Sequence, residues 1–330
     1  MPPLIEVTYP RGIYLPEADL WLDPHFGVKR AFISHAHSDH VARHEFTICS
    51  ETTHQLMVAR KAAKKAGVVL SPLVGEVIEW EGWELRLLHA GHIIGSTMLH
   101  LTRMADGATL LYTGDYKLRQ GLACARCTPL PADTLIMECT FGLPKYRFPP
   151  LETVREAMWQ FARETVAAGK VPVLQGYSLG KAQELLRLLH GLDMPVMVHS
   201  TVALMTDVVR AQLGDLPDFR LFDKDNAQGH VVVAPPGTKL DLPGCRHAMA
   251  SGWALDPSAK YRYGVDAVFP LSDHADHAEL HETVELVRPR RIQLVHGFTR
   301  EFAAELRRHG HDARALGRTD QLELIFEDRE

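Results

Sequence analysis

The stretch FISHAHSDH, residues 32–40, places three histidines and an aspartate within six positions directly after an apolar run. In extended backbone, side chains two residues apart point the same way, so His35 and His37 can bind one metal ion. Asp39 and His40 follow around a turn and can serve a second ion. Imidazole nitrogens with carboxylate oxygens suit zinc best, with manganese or iron as alternatives. The stretch therefore favours a fold in which a strand ends at a metal site over one with an ordinary solvated loop.

Three further polar residues stand at the ends of predicted strands. His92 lies in HAGHIIGS, Asp115 follows a strand in LYTGDYKLR, and His296 ends the strand RIQLVHG. Proteins commonly place chemistry in the loops at strand ends. Each residue alone is more often structural, but together with the first cluster they form a set of metal ligands.

The secondary-structure pattern changes twice along the chain. Up to about residue 141 short apolar strands alternate with tight turns, as in EVIEWEGWELRLLHAGH, which predicts a hairpin turned at EG. After the Pro/Gly-rich segment GLPKYRFPP, helices and strands alternate, which is typical of a mainly parallel sheet. From VDAVFPLSDHADH onward the first pattern returns.

Composition limits the classes of function. The net charge of -5 does not by itself indicate a nucleic-acid-binding protein, so such a partner needs a local basic patch or bound metal. No apolar run is long enough to span a membrane, and the N-terminal segment lacks a signal-peptide pattern. The five scattered cysteines fit a reducing compartment. We therefore expect a cytoplasmic protein without a membrane partner.

The ligand series resembles the metallo-β-lactamase superfamily, in which an HxHxDH motif, a later histidine, a bridging aspartate and a last histidine hold two metal ions. The segments IMECTFG, YSLGKAQELL, PLSDHADH and VHG are similar to further motifs of the β-CASP nucleases. Within that group the chain is most similar to the bacterial ligase-associated DNA exonucleases. The resemblance implies an α/β fold, an αββα metallo-β-lactamase sandwich with an inserted parallel α/β β-CASP domain. It places the two parts of the sandwich at 1–142 and 265–330 and the insertion at 143–264.

The resemblance also assigns metal ligands, seven side chains shared between two divalent ions, zinc or manganese. The first ion takes three histidines, the second takes an aspartate and two histidines, and a further aspartate bridges them. The ligands of the first ion are His35, His37 and His92, and those of the second are Asp39, His40 and His296. The bridging aspartate is Asp115. Asp23, in LWLDP, matches an outer carboxylate that orients a ligand histidine and fixes its tautomer and ring position.

Two more residues are expected to act on the substrate. By resemblance, His274 contacts the scissile phosphate or protonates the leaving oxygen, and Glu138 hydrogen-bonds to it and favours its charged form. His277 lies in the following helix and receives no role. The expected catalytic residues are Asp39, Asp115, Glu138 and His274.

Two metal ions in one open cleft can activate water and clamp the oxygens of a phosphodiester. The resemblance therefore implies a nuclease, foremost a 5′-to-3′ DNA exonuclease of DNA repair that associates functionally with a DNA ligase and a helicase. An RNA-processing endo- or exoribonuclease of the same fold is the alternative, because RNA-processing members share a histidine at the position of His296. A small-molecule ester or thiolester hydrolase fits less well, because it needs neither the inserted domain nor the pair of Glu138 and His274.

Two helices expected in the inserted domain begin with small polar residues, at Ser178 to Lys181 and at Ser200. Free backbone N–H groups and the helix dipole favour an anion at such starts, although serine and threonine also cap helices generally. We expect Ser178, Lys181 and Ser200 to contact a 5′-terminal phosphate of the DNA substrate.

Overall fold

The computed structural model describes residues 2–61 and 67–317. The chain divides into two compact units, each with its own sheets and core, and the second unit interrupts the first in sequence. The α/β class with an inserted parallel α/β unit, predicted from the sequence, is confirmed. Unit 1 comprises Met1–Gln120, Ala125–Tyr146 and His274–Glu330. Unit 2 comprises Gly121–Cys124 and Arg147–Asp273.

The strands are short, and their burial follows their place in a sheet. Thr134–Cys139 is buried at every position, whereas Val77–Trp80, at a sheet edge, alternates between exposed and half-buried side chains. Such alternation is expected where one face of a strand meets solvent. In chain order the strands of the described residues are β1 Ile13–Leu15, β2 Leu20–Leu22, β3 Arg30–Phe32, β4 Phe46–Ile48, β5 Val68–Leu70, β6 Val77–Trp80, β7 Trp83–His89, β8 Thr97–Arg103, β9 Thr109–Tyr112, β10 Thr134–Cys139, β11 Val171–Gln175, β12 Val196–Val198, β13 Phe219–Leu221, β14 Val231–Ala234, β15 Cys245–Ala250, β16 Ala267–Phe269, β17 Arg291–Gly297 and β18 Ala313–Ala315.

Polar side chains set where several helices begin. The Ser50 hydroxyl accepts a hydrogen bond from the Thr53 N–H, and Asp276 forms a reciprocal capping box with Glu279. These contacts satisfy backbone donors that the first helical turn leaves unpaired. The α-helices of the described residues are α1 Glu51–Ala59, α2 Leu151–Ala167, α3 Lys181–Leu189, α4 Ser200–Val209, α5 Ala259–Tyr263, α6 His277–Val287 and α7 Thr299–Arg308.

Unit 1 contains two sheets. The first has the order β1-β2-β3-β4-β5, in which β2 to β5 run parallel. The second has the order β18-β17-β10-β9-β8-β7-β6. In it, β7, β9, β10 and β17 share one direction, because β8 is antiparallel to both of its neighbours. The carboxyl ends of these four strands therefore lie at one edge of the sheet.

Apolar side chains join the two sheets of unit 1 face to face. Leu22 from the first sheet and Leu99 and Ile136 from the second belong to one buried cluster. Leu135, next to Ile136 in β10, belongs instead to a cluster with Phe302 of α7, on the other face of the second sheet. This change of face follows the two-residue period of a strand. Each such buried side chain contributes about 1.5–3 kcal/mol to stability.

Unit 2 is built on one parallel sheet with the order β13-β12-β14-β11-β15-β16. Leu174 of β11 packs in a cluster with α2 and α3, while Val171 and Val173 of the same strand pack in a cluster on the opposite face. A strand that is buried on both faces needs a continuous apolar run, and VPVLQ supplies one.

The inserted domain expected at 143–264 stays a prediction, and the limits of the compact unit 2 are set by specific contacts. Unit 2 extends to Asp273 because β16 hydrogen-bonds to β15 and completes the unit 2 sheet. The short segment Gly121–Cys124 also belongs to unit 2, because the Glu184 carboxylate accepts hydrogen bonds from the N–H groups of Leu122 and Ala123 at 2.9 and 2.8 Å. Contacts between residues far apart in sequence decide these limits.

Two expected elements fall partly or wholly outside the described residues. The apolar spacing of HQLMVARKAAKKAG, residues 54–67, predicts a helix. The observed helix α1 covers the first part of this stretch and ends at Ala59, and residues 62–66 lie outside the described range. The apolar residues of QLELIFE, residues 321–327, predict a last strand, and this segment lies entirely outside the described range. Among the described helices, we find none that is both long enough and apolar enough to cross a membrane.

His44 links the stability of unit 1 to pH. Burial lowers the pKa of its imidazole to about 4, its Nδ1 accepts a hydrogen bond from the Val28 N–H at 3.4 Å, and its Nε2 is buried without a hydrogen-bond partner among the described residues. The neutral form is therefore favoured in the folded state. The contribution of the neutral His44 to the free energy of unfolding is complete above the unfolded-state pKa of about 6.5, and it is lost as the pH falls toward 4.

We expect the free energy of unfolding to fall by about 2 kcal/mol more in the wild type than in His44→Gln between pH 7 and pH 4.5. The glutamine retains a side-chain acceptor but does not titrate. Urea denaturation at the two pH values measures the difference. Equal losses in both proteins would show that His44 does not carry this part of the acid sensitivity.

Candidate metal centre

Strand ends bring several of the predicted site residues of unit 1 together. Asp23 follows β2 and His35 follows β3 in the first sheet. His92 follows β7 and Asp115 follows β9 at the carboxyl edge of the second sheet. Because the two sheets pack face to face, these ends meet at one place, and their side chains are in contact.

His35, His37 and His92 form a tight cluster of imidazoles. His37 Nδ1 lies 3.0 Å from His35 Nε2 and 3.2 Å from His92 Nε2. Three nitrogens bound to one tetrahedral zinc ion at about 2.0–2.1 Å lie about 3.4 Å from one another. The spacing of the three nitrogens therefore fits a single ion.

Local hydrogen bonds fix the tautomer of His35. The Ser34 hydroxyl donates its one hydrogen to Asp23 Oδ2 at 2.5 Å, so it must accept from His35 Nδ1, which lies 2.9 Å away. Complete burial lowers the pKa of His35 well below its usual range, and the neighbouring His40 and His92 lower it further. The ring is therefore neutral, and Nε2 presents a lone pair to the cluster.

Asp23 orients both His35, through Ser34, and His40. Its carboxylate accepts hydrogen bonds from the Ser34 N–H at 2.7 Å, the Tyr112 hydroxyl at 2.8 Å and His40 Nδ1 at 3.1 Å. Because its lone pairs are engaged in this way, the carboxylate acts on the centre through the histidines that it holds. The Nε2 of His40 is left facing Asp115, at 3.4 Å from Oδ2.

Asp115 stands between the two predicted ligand sets. Its Oδ2 lies 3.7 Å from His35 Nε2, 3.8 Å from His92 Nε2 and 3.4 Å from His40 Nε2. Burial raises the pKa of Asp115, but the imidazoles of His40 and His274 outweigh burial and hold that pKa well below its usual range. The group is therefore a carboxylate, in the form that binds metal.

The remaining two predicted ligands lie at the periphery of the centre. The Asp39 side chain is 79% exposed, with Oδ2 3.7 Å from His40 Nε2, and the ring centroid of His296 lies 5.7 Å from that of His40. Neither belongs to a group of described ligand atoms that lie within 4.8 Å of one another. The structure thus assembles His35, His37, His92, His40 and Asp115 closely, and Asp39 and His296 less closely.

A β-bulge positions His296. The register of the parallel pair β10 and β17 shifts after Glu138, so that Cys139 pairs with Gly297 and His296 is left over. His296 has a φ of 55°, which is uncommon for a residue with a side chain. Gly297 must be glycine, because a Cβ there would lie 2.3 Å from the Cys139 carbonyl oxygen. Bulges of this kind redirect a side chain at a strand end.

His274 is held against Glu138. Glu138 is fully buried at the end of β10, and its Oε1 accepts a hydrogen bond from His274 Nδ1 at 2.7 Å. The ligand-type atoms of His274, His92 and Asp115 lie within 4.8 Å of one another. The structure therefore brings the pair of Glu138 and His274 to the imidazole cluster.

Arg119 holds the loop that carries His274. Its guanidinium donates to the His274 carbonyl oxygen at 2.7 Å and pairs with Glu279 of α6. Sequence reasoning assigned no positioning role to Arg119, nor to Ser34 and Tyr112, the partners of Asp23. The positions of Ser34 beside His35 and of Tyr112 in the strand before Asp115 are the signals that could have indicated them.

Lys181, an expected phosphate contact, lies in unit 2. It is buried at the start of α3, where its Nζ donates to the Leu271 carbonyl oxygen at 2.8 Å and pairs with Asp273 at 3.0 Å. Gly180, and not Ser178, is the N-cap of this helix. The charge of Lys181 is thus paired with that of Asp273 inside unit 2, and its contact with a terminal phosphate stays a prediction.

Ser200 is the first residue of α4 and is exposed. The N-cap of that helix is His199, whose Nδ1 accepts a hydrogen bond from the Thr201 N–H at 3.3 Å. Part of the anion-binding capacity expected at this helix start is therefore taken by an imidazole of the protein itself.

Comparison with known proteins identifies relatives of this sequence. The family described as the Zn-dependent metallo-hydrolase RNA specificity domain (RMMBL) matches residues 262–316. A protein of Opitutus terrae described as a probable DNA ligase is 46% identical over 325 residues. The mouse DNA cross-link repair 1A protein is 24% identical over 298 residues, and an RNase J-like protein of Methanocaldococcus jannaschii is 27% identical over 218 residues.

These relatives are longer than this chain. The match to the Opitutus terrae protein covers 97% of this chain but 32% of that protein. The corresponding shares are 81% and 28% for the mouse protein, and 54% and 50% for the Methanocaldococcus jannaschii protein. The chain thus matches about a third to a half of the length of these relatives.

Proposed function

Because the chain belongs to the metallo-β-lactamase superfamily, in its β-CASP group of nucleases, we propose that it hydrolyses phosphodiester bonds of nucleic acids with two divalent metal ions. The observation that carries the proposal is the position of Asp115. One of its carboxylate oxygens faces imidazole nitrogens of both ligand sets, with His35 and His92 in one and His40 in the other. A carboxylate in that position is suited to bridging two ions.

The chemistry of the donor set fits zinc, and manganese is the alternative. When bound, two ions supply water that is activated at neutral pH and a clamp for the non-bridging phosphate oxygens. The proposed ligands of the first ion are His35, His37 and His92, and those of the second ion are Asp39, His40 and His296. Asp115 is the proposed bridge.

The protein's own groups orient these ligands and serve the substrate. Asp23 holds the rings of His35, through Ser34, and of His40, so that each presents Nε2 inward. Glu138 accepts from Nδ1 of His274 and favours the imidazolium form of that ring. In that form His274 can donate a hydrogen bond to the scissile phosphate or a proton to the leaving oxygen.

We further propose that the substrate is DNA, digested from the 5′ end. The descriptions of the Opitutus terrae and mouse relatives, a probable DNA ligase and a DNA cross-link repair protein, support DNA. The first description also supports a functional association with a DNA ligase, and the resemblance to ligase-associated exonucleases extends it to a helicase. Ser178, Lys181 and Ser200 are the proposed contacts of a 5′-phosphate.

RNA is the second candidate substrate, and three observations favour it. The matching family is described as an RNA specificity domain, and the relative from Methanocaldococcus jannaschii is described as RNase J-like. His296, at a position where RNA-processing members of the group carry histidine, is present in this chain.

The test compares end-labelled single-stranded DNA, duplex DNA and RNA of one sequence, each with a 5′-phosphate or a 5′-hydroxyl, in the presence of Mn²⁺. We expect DNA with a 5′-phosphate to be digested fastest, with mononucleotides released from the 5′ end. A ladder that starts at the 3′ end, or equal rates for both 5′ groups, would contradict the polarity and the phosphate contacts. Faster cleavage of RNA would establish the second candidate.

A metal chelator and an inactive variant control this assay. EDTA is expected to stop hydrolysis, and added Mn²⁺ or Zn²⁺ to restore it, because the ligands are arranged around two ions. Asp115→Ala, purified in the same way, reports any contaminating nuclease. Hydrolysis that persists in EDTA would contradict the metal-dependent reaction itself.

A further inference from the structure

A second group of metal-ligand side chains lies between α6 and α7 in unit 1. His277 and His281 stand one turn apart on α6, and Glu305 faces them from α7. None of the three belongs to the metal centre formed at the strand ends. Their ligand-type atoms lie within 4.8 Å of one another.

Both imidazoles converge on the same carboxylate. His277 Nε2 lies 3.1 Å from Glu305, and His281 Nε2 lies 2.9 Å from Glu305 Oε1. Histidines four residues apart on one helix face are a common way to hold zinc, since their Nε2 atoms reach one point. Ligands of a tetrahedral zinc ion lie about 3.4 Å apart, so only a small displacement would admit one.

The surroundings hold the two rings in place. Both imidazoles pack edge-on to the Phe302 ring, with centroid distances of 5.8 Å for His277 and 5.1 Å for His281. The side chain of His277 is 8% exposed and that of His281 27%, so the group is anchored on one side and open to solvent on the other. An ion could enter from the open side and keep a water ligand there.

The carboxylate is in the form that binds metal. Partial burial raises the pKa of Glu305, but the hydrogen bonds from His277 and His281 outweigh it and lower that pKa below its usual value. Two nitrogen donors with one carboxylate oxygen are typical of zinc sites and also suit other divalent transition metals.

We propose that His277, His281 and Glu305 bind one divalent transition-metal ion, zinc by preference, in addition to the ions of the strand-end centre. The ion joins α6, which begins three residues after His274, to α7, which begins three residues after His296. It therefore stabilises the packing of the two helices that follow these two residues of the proposed active site. The proposal does not depend on which substrate the protein hydrolyses.

The test counts bound ions. Protein stripped with EDTA is dialysed against a zinc buffer, and elemental analysis gives the number of zinc ions per chain. We expect Glu305→Gln and His281→Ala each to hold one ion fewer than the wild type, because each removes one of three ligands. Glu305→Gln keeps the shape of the side chain, and His281 is partly exposed, so two independent variants protect the result against misfolding.

His190→Ala is the matched control, since it removes an exposed histidine of unit 2. It should hold as many ions as the wild type, and zinc should raise its Tm as much. The rise in Tm should be smaller in Glu305→Gln. An unchanged ion count in both Glu305→Gln and His281→Ala, or an equal loss in His190→Ala, would overturn the proposal. The number of ions bound by each variant can be compared whether or not the protein hydrolyses nucleic acid at the strand-end centre.

Discussion

Asp115→Ala is expected to abolish hydrolysis of nucleic acid and to lower the metal content by two ions per chain. The reason is geometric: Asp115 Oδ2 lies within 4 Å of imidazole nitrogens of both ligand sets, at 3.7 Å from His35, 3.8 Å from His92 and 3.4 Å from His40. Removing it takes away the ligand that the two ions share and leaves the histidines without their common negative charge. Elemental analysis and an end-labelled substrate measure the two effects together.

Two further proteins sharpen this experiment. Asp193→Ala removes an exposed aspartate of unit 2 and should retain the full activity and metal content. Asp115→Asn keeps the shape of the side chain but not its charge, and should lose activity as well. The ion proposed at Glu305 should remain in every one of these variants. If Asp115→Ala still held two ions at the strand-end centre, the bridging assignment would be wrong.

His274→Ala is expected to keep its metal ions and to lose about 10²–10⁴-fold in turnover, the range for a positioned acid or base. The structure supports a role on the substrate, because Glu138 holds Nδ1 of the ring at 2.7 Å and Arg119 holds the backbone of the loop at 2.7 Å. Glu138→Gln should show a smaller loss in the same direction, since the imidazolium form is then favoured less.

A substrate with a better leaving group separates the two roles proposed for His274. If the ring protonates the leaving oxygen, such a substrate should recover part of the lost turnover, because its leaving group needs less proton transfer. Equal defects on both substrates would identify a phosphate-positioning group. Loss of an ion from His274→Ala would instead make His274 a ligand, as its proximity to His92 and Asp115 allows.

The family and the fold class could be predicted from the sequence because both depend on short-range patterns. Spacing within HAHSDH places His35 and His37 on one side of a strand end, and the alternation of helices with strands after GLPKYRFPP predicts a parallel sheet. Both patterns survive in the structure because a strand period and a helix–strand alternation are set by neighbouring residues. The extension of unit 2 to Asp273 depends on a long-range contact, since β16 joins the unit 2 sheet through its partner β15.

Only the tertiary structure decided which partners meet. Asp23 is reached by Tyr112, 89 positions away in sequence, and Glu305 by His277, 28 positions away. The sequence assigned no role to His277, whereas packing brings it close to His281 and Glu305. Packing also pairs Lys181 with Asp273. Local pattern determined where strands end and which residue types stand there. Long-range packing determined the tautomers, the bulge at His296 and the charge partners, because these depend on side chains that the chain brings together only when its sheets and helices are assembled.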